Sequence, residues 1–357
     1  MLRPSKPLDD GYGVIATHDR VEGVANVGIM SKSEQTSVGV ADALGGLVMR
    51  LVIGGHNWLF RNQAMPLDAR LTGTAFRPPI NTAYVDNADV GLGDTCILTV
   101  AGDRLTVPDV GRVALPDHGY AWFQRPQSVK SAVVREPGVL TLVTSWWVER
   151  PPFDFELIRR FEIVRGGQIH VRFSLENRAT APIPWFWSSH DMIALDRQTE
   201  LVLPEGEPIT VFAAHGFEPA DRDHAWPKVH VEGGRALDMS KPAAARRALG
   251  GGFACKLFTT SPSGALGVRS GAHELWISGR GTRAALWINW RGWRPDSMKS
   301  SRVRYQNLCP ERSWGGPTDR VSEGVKQKAV TWIQKGELRR WSMRYAPSPI
   351  DVDGDDG

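Results

Sequence analysis

Through the middle of the chain, apolar residues recur at alternate positions. In residues 153–177 the series Phe155, Leu157, then Phe161, Ile163, then Ile169, Val171, Phe173, Leu175 is interrupted at Gly166-Gly167. A period of two is that of a strand with one face buried, and a glycine pair suits a hairpin turn, so this segment predicts two antiparallel strands. Upstream, Val133-Val134 and residues 140–147 flank the turn tripeptide Glu136-Pro137-Gly138 and predict a second hairpin. Downstream, residues 329–333 and 338–345 flank Gln334-Lys335-Gly336-Glu337 and predict a third. Helical periodicity is scarce. Residues 241–249 hold alanines and arginines between prolines and Gly250-Gly251-Gly252, which allows one or two turns. Residues 204–242, rich in Pro, Gly, His and Asp, read as long loops, and no internal repeat is visible.

Strands at short spacing with few helices predict an all-β fold, a large antiparallel β-sandwich with few short helices, rather than a βαβ sheet. With 357 residues, 41% of them hydrophobic, the chain can bury a sizeable core. All-β sandwiches exceed the usual domain size as one unit, so a single domain is expected over residues 1–346. Residues 347–357, acidic and rich in Pro and Gly, are expected to be a disordered tail. Residues 1–13 lack the apolar stretch of a secretory signal. Residues 46–53, broken by Arg50, are too short for a membrane span, which needs about 20 apolar residues. The expectation is a soluble, cytoplasmic protein with no membrane partner; an oligomer is possible.

Composition then removes several function classes. Cys96, Cys255 and Cys309 are far apart and odd in number, which fits reduced thiols better than a disulfide framework or a paired-cysteine metal site. The net charge of +4 is spread along the chain, and Arg246-Arg247 and Arg339-Arg340 lack interleaved aromatics, so no nucleic-acid partner is expected. Gly91-Leu92-Gly93 lacks the third glycine of a dinucleotide site, and no phosphate-binding loop or nucleophile elbow occurs, so no cofactor is expected. The Asp-rich stretch Asp351-Val352-Asp353-Gly354-Asp355 lacks the remaining ligands of a calcium loop. His215, Asp221, Asp223, His224 and His230 fit no defined metal spacing and read as surface loop. No metal site is expected. Fourteen tryptophans, clustered at Trp146-Trp147, Trp185 with Trp187, and Trp287, Trp290 and Trp293, suit either a thick core or stacking on sugar faces.

Three segments stand out. Leu115-Pro116-Asp117-His118-Gly119, followed by Trp122 and Arg125, holds a histidine in a turn. Trp185-Phe186-Trp187-Ser188-Ser189-His190 ends an aromatic strand in a histidine. Tyr305-Gln306-Asn307-Leu308-Cys309-Pro310-Glu311 carries a carboxylate after a strand and leads into residues 313–319. Two imidazoles and a carboxylate are what acid–base chemistry at a neutral sugar requires. Taken singly, each also fits a hydrogen-bonded structural residue.

The order and surroundings of these segments resemble the aldose 1-epimerase, or galactose mutarotase-like, superfamily, especially bacterial members with a Leu-Pro-Asp-His-Gly segment. The likeness runs in order from about Val38 to Tyr345 and rests on the sequence of motifs rather than on any one. It implies the mutarotase-like β-sandwich, a monosaccharide or sugar derivative as partner, and a reaction without cofactor. Glu311 would be the general base and His190 the general acid, with His118 polarising the sugar near its ring oxygen. Asp94, Arg125 and Trp187 would contact the sugar. Asp191-Met192-Ile193 replaces the family's usual Pro-Tyr-Phe, and Arg312 replaces a common proline. Proximity of a carboxylate predicts a raised histidine pKa. A carbohydrate-binding or regulatory protein without turnover is the alternative on the same fold. A lyase or glycosidase is a third reading; a lyase would want a tyrosine or arginine poised at the α-proton, and the chain has only five tyrosines.

Overall fold

The computed structural model describes residues 13–21, 23–60, 92–96, 103–116, 118–121, 128–262, 264–293 and 306–349, with 92–96 described by backbone alone. Two large antiparallel sheets dominate the described residues. The larger runs from Val14–Val21 through Val24–Ser31, Thr36–Ala41, Leu47–Ile53, Leu92–Cys96, Trp187–Asp191, Gln306–Trp314, Arg283–Trp290, Phe253–Thr259 and Pro208–His215. It ends in the short strands Asp223–Ala225, Lys228–His230 and Ala236–Asp238. The second sheet orders Glu200–Val202, Leu266–Ser270, His273–Ser278, Leu338–Ala346, Gln168–Asn177, Phe153–Val164, Val139–Arg150 and Val129–Glu136.

The alternating pattern sits where its period puts it. Along Phe153–Val164 every second residue is buried, and Leu157 lies opposite Leu175 and Phe161 opposite Val171 across the turn. Both turn glycines have positive φ, 79° at Gly166 and 69° at Gly167, a region open to glycine at little cost. The Glu136-Pro137-Gly138 turn likewise joins Val129–Glu136 to Val139–Arg150 in register. The predicted short helix is Pro242–Leu249, with proline in its first turn and Gly250 in the left-handed conformation as its cap. Among the described residues no helix is long and apolar enough to cross a membrane.

Two expectations need correction. Thr331–Ile333 and Leu338–Ala346 do not pair with each other: the first pairs with Ile183–Trp185 and the second with Gln168–Asn177. The turn forms, but it carries the chain from one sheet to another rather than closing a hairpin. Residues 204–242 are not loop throughout, since Pro208–His215 and three short strands lie there. Strands of three residues hold too few positions for a period of two to show, and Pro208–His215 is buried at three consecutive positions and irregular between Val211 and Ala213, so it does not alternate either. The acidic tail from residue 350 onward lies outside the described residues.

Between the sheets, Leu257, Leu286, Ile288 and Leu308 of the larger sheet share a core with Leu157, Phe161, Val171 and Phe173 of the second. Aromatic rings bind the layers beneath the middle of the larger sheet. Phe173 stacks on Trp341 at 5.0 Å and meets Trp187 edge-on at 5.0 Å, while Trp185 abuts Trp341 at 4.4 Å. Trp187 is fully buried there, and its removal would open a large cavity. Trp187→Ala is expected to lower unfolding stability by about 3–5 kcal/mol in urea titrations; a loss below about 1 kcal/mol would show that the ring is not part of this packing.

Candidate functional site

The site arises from strand register. Ser188 stands opposite Ser313, Cys309 opposite Trp287 and Glu311 opposite Ala285. Lys256 in turn stands opposite Trp287, and Phe258 opposite Ala285. Side chains alternate between the faces of a sheet, so Ser188, His190, Cys309, Glu311, Trp287 and Lys256 share one face across four strands. Their neighbours Trp187, Leu308, Leu286 and Leu257 point the other way, into the main core. On the site face, Cys309 packs with Phe60 and Met192 in a small separate apolar cluster, with Trp287 and Trp293 half-buried beside it.

Glu311 is the centre of this face and is 1% exposed. Ser188 Oγ donates to its Oε2 at 2.8 Å, and Lys256 Nζ donates to its Oε1 at 2.5 Å. The same ammonium lies 3.7 Å from Asp319 Oδ1. Burial opposes the Lys256 charge, but the carboxylates of Asp319 and Glu311 outweigh it and hold the ammonium above the ordinary lysine range.

His190 lies beside Glu311 on the adjoining strand and is 6% exposed. Its ring meets that of His118 edge-on, with centroids 5.2 Å apart. His118, half-buried, has φ of 59°, and the turn is closed by the Gly119 N–H donating to the Pro116 carbonyl at 3.1 Å. A non-glycine residue in this region is strained and is held by its surroundings. The structure thus brings His118, His190 and Glu311 together from three distant segments.

The charge of His190 departs from expectation. Its pKa is held well below 6.5 by burial first, then by His118 and by Lys256, rather than raised by the carboxylate. Burial is the main reason; the ammonium beside Glu311 adds to it, because it repels a second cation. No pattern around Lys256 in the sequence signals this, because its partner lies 55 residues away on a strand that is not its direct neighbour.

The remaining assignments divide. Trp187 is corrected: it is fully buried against Phe173 and Trp341, so its faces serve the core and none is left for a sugar. Trp287 is the better-placed indole, half-buried on the site face, 5.7 Å from Trp293 and 6.4 Å from His215. It belongs to a cluster visible in the sequence, but only pairing with Cys309 and Lys256 identifies its face. Asp94 lies in the strand that pairs with Trp187–Asp191, its backbone opposite Ser189, with Gly93 opposite His190. Arg125, together with Asp117 and Trp122, lies outside the described residues. Behind the site, Tyr345 Oη donates to the Asp191 carboxylate at 3.1 Å, tying the His190 strand to the second sheet.

His190, Cys309 and Glu311 also bring potential donor atoms within 4.8 Å of one another. An imidazole, a thiolate and a carboxylate would suit zinc. Here, however, the Lys256 ammonium already supplies the positive charge on Glu311, and burial, followed by the Glu311 charge, holds the Cys309 thiol protonated. Cys255, fully buried, is likewise held as a thiol. In the folded protein at pH 8, neither Cys255 nor Cys309 should be alkylated by iodoacetamide, and both should react in denaturant; peptide mass spectrometry distinguishes them. Rapid native labelling of Cys309 would show a thiolate and overturn this assignment.

No protein-family model matches the chain, and no curated protein matches its sequence. Solved structures do match. Galactose 1-epimerase from Lactobacillus acidophilus NCFM superposes with a TM-score of 0.57 at 12% identity, over 93% of this chain and 98% of that one. A galactose mutarotase-like protein from Clostridium acetobutylicum gives 0.61 at 8% identity, over 94% and 98%. Another, from Lactobacillus casei ATCC 334, gives 0.56 at 13% identity, over 90% and 99%. At these identities the likeness is one of fold: the chain is an all-β sandwich of the galactose mutarotase-like kind.

Proposed function

We propose that this protein is an aldose 1-epimerase-like enzyme that interconverts the anomers of a monosaccharide or sugar derivative by acid–base ring opening. The observation that carries this reading is the meeting of His118, His190 and Glu311 on one sheet face of a mutarotase-like fold. Glu311 accepts the proton of the anomeric hydroxyl. The bond between the anomeric carbon and the ring oxygen breaks as the carbonyl forms, and protonated His190 delivers a proton to the ring oxygen. Rotation of the open-chain aldehyde and the reverse transfers give the other anomer and restore both groups. His118 hydrogen-bonds near the ring oxygen, Trp287 offers a face for the sugar's C–H groups, and Asp94 and Arg125 are assigned to its hydroxyls.

A second reading, a sugar-binding protein without turnover, is favoured by the engagement of both Glu311 oxygens by Ser188 and Lys256. Glu311→Gln separates the two. It keeps the side-chain shape and removes the proton acceptor, so an enzyme should lose about a hundredfold or more in kcat, with sugar binding by tryptophan quenching little changed. A parent protein that never exceeds the buffer rate of interconversion would leave the binding reading alone.

The His190 shift also sets a pH dependence. Because its pKa is lowered, the charged fraction at neutral pH is small and grows as pH falls. With charged His190 as the acid, kcat/KM should rise about tenfold per unit as pH is lowered from 8 towards 6, after subtraction of the buffer rate. A profile flat over that range would exclude His190 as the proton donor.

A further inference from the structure

We infer that Lys256 is a positioning residue that fixes where charge resides in this site, one buried ammonium serving as counter-ion to both Glu311 and Asp319 beside the His190 imidazole. The inference rests on the reading of Glu311 and His190 as the acid–base pair.

The geometry is specific. Lys256 is 6% exposed, and its stem runs across the sheet face to end 2.5 Å from Glu311 Oε1 and 3.7 Å from Asp319 Oδ1. Ser188 holds the opposite carboxylate oxygen at 2.8 Å, so Glu311 is oriented by one neutral and one charged donor. Phe258 lies beneath the ammonium, 5.4 Å from ring centre to Nζ.

The groups facing this cation and the His190 imidazole beside it come from every element around the two. The strand Gln306–Trp314 gives Cys309 and Glu311, the segment that follows gives Asp319, Trp187–Asp191 gives His190, and the turn after Pro116 gives His118. The strand between, Arg283–Trp290, presents uncharged Ala285 and Trp287 in the same rows, with His215 beyond Trp287. Two carboxylates thus share one ammonium, and the charged fraction of His190 carries the proton it delivers in turnover.

A buried carboxylate without its partner would either take up a proton or be strongly destabilising. The lysine supplies that partner to Glu311 at 2.5 Å. Its cost is the repulsion it exerts on His190, which Asp319 moderates by drawing on the same ammonium. The division of one positive charge between a reacting carboxylate and a non-reacting one therefore tunes the histidine.

The experiment follows the His190 imidazole by NMR in the full chain, labelled at histidine and assigned with His190→Gln, across the pH range in which the protein is folded. The parent should show a His190 midpoint well below 6.5 or none. Lys256→Met and Lys256→Gln remove the charge and should raise the midpoint by about one pH unit or more, whereas Lys256→Arg should leave it near the parent's. Asp319→Asn, at a side chain only 17% exposed but outside the strands, should lower the charged fraction at any pH where the parent shows one. If the neutral variants do not fold, as judged by circular dichroism, the parent midpoint and Asp319→Asn decide. A parent midpoint near 6.5, or a midpoint unmoved by loss of the Lys256 charge or of Asp319, overturns the proposal. These readouts do not need turnover: absence of anomer interconversion with the expected midpoints removes the enzymatic reading alone, and interconversion with unmoved midpoints removes this one alone.

Discussion

A carboxylate that is 1% exposed can remain charged only if charge and hydrogen bonds meet it inside the protein, and the arrangement of this site follows from that constraint. Glu311 is met by Lys256 and Ser188 from the two flanking sides, which requires their strands to lie on either side of Gln306–Trp314 in a particular register. A slip of one residue in any of these strands would turn its polar set into the core and its apolar set onto the site face. The buried ion pair and the strand register thus specify each other.

The same constraint explains why the site does not behave as its histidines and carboxylate alone suggest. His190 is held uncharged first by its burial, then by His118 and by the ammonium already paired to Glu311. Buried pairs contribute little net stability once desolvation is counted, so the value of Lys256 lies in the ionisation states it enforces.

Support for the site comes from the opposite face of the sheet. Trp187 and Asp191 flank the site residues in sequence yet point inward, one into an aromatic stack with Phe173 and Trp341, the other onto Tyr345 of the second sheet. Alternation along one five-residue strand therefore divides chemistry from packing. The strained turn at His118 stands over this rigid base.

The sequence by itself determined the all-β class, the hairpins at Gly166-Gly167 and Glu136-Pro137-Gly138, the short helix, and the segments holding His118, His190 and Glu311. Each of these depends on local period, turn chemistry or motif order, which a linear chain displays directly. It did not reveal the strands in residues 204–242, three too brief for a period and Pro208–His215 without alternation, nor the exchange of sheets at residues 334–337, since a turn does not state which strands it joins. Tertiary structure alone decided that Trp187 is core and Trp287 borders the site, and that Lys256 is part of it at all. Face and partner depend on which distant strands lie side by side, and with them goes the electrostatic environment that sets each group's charge.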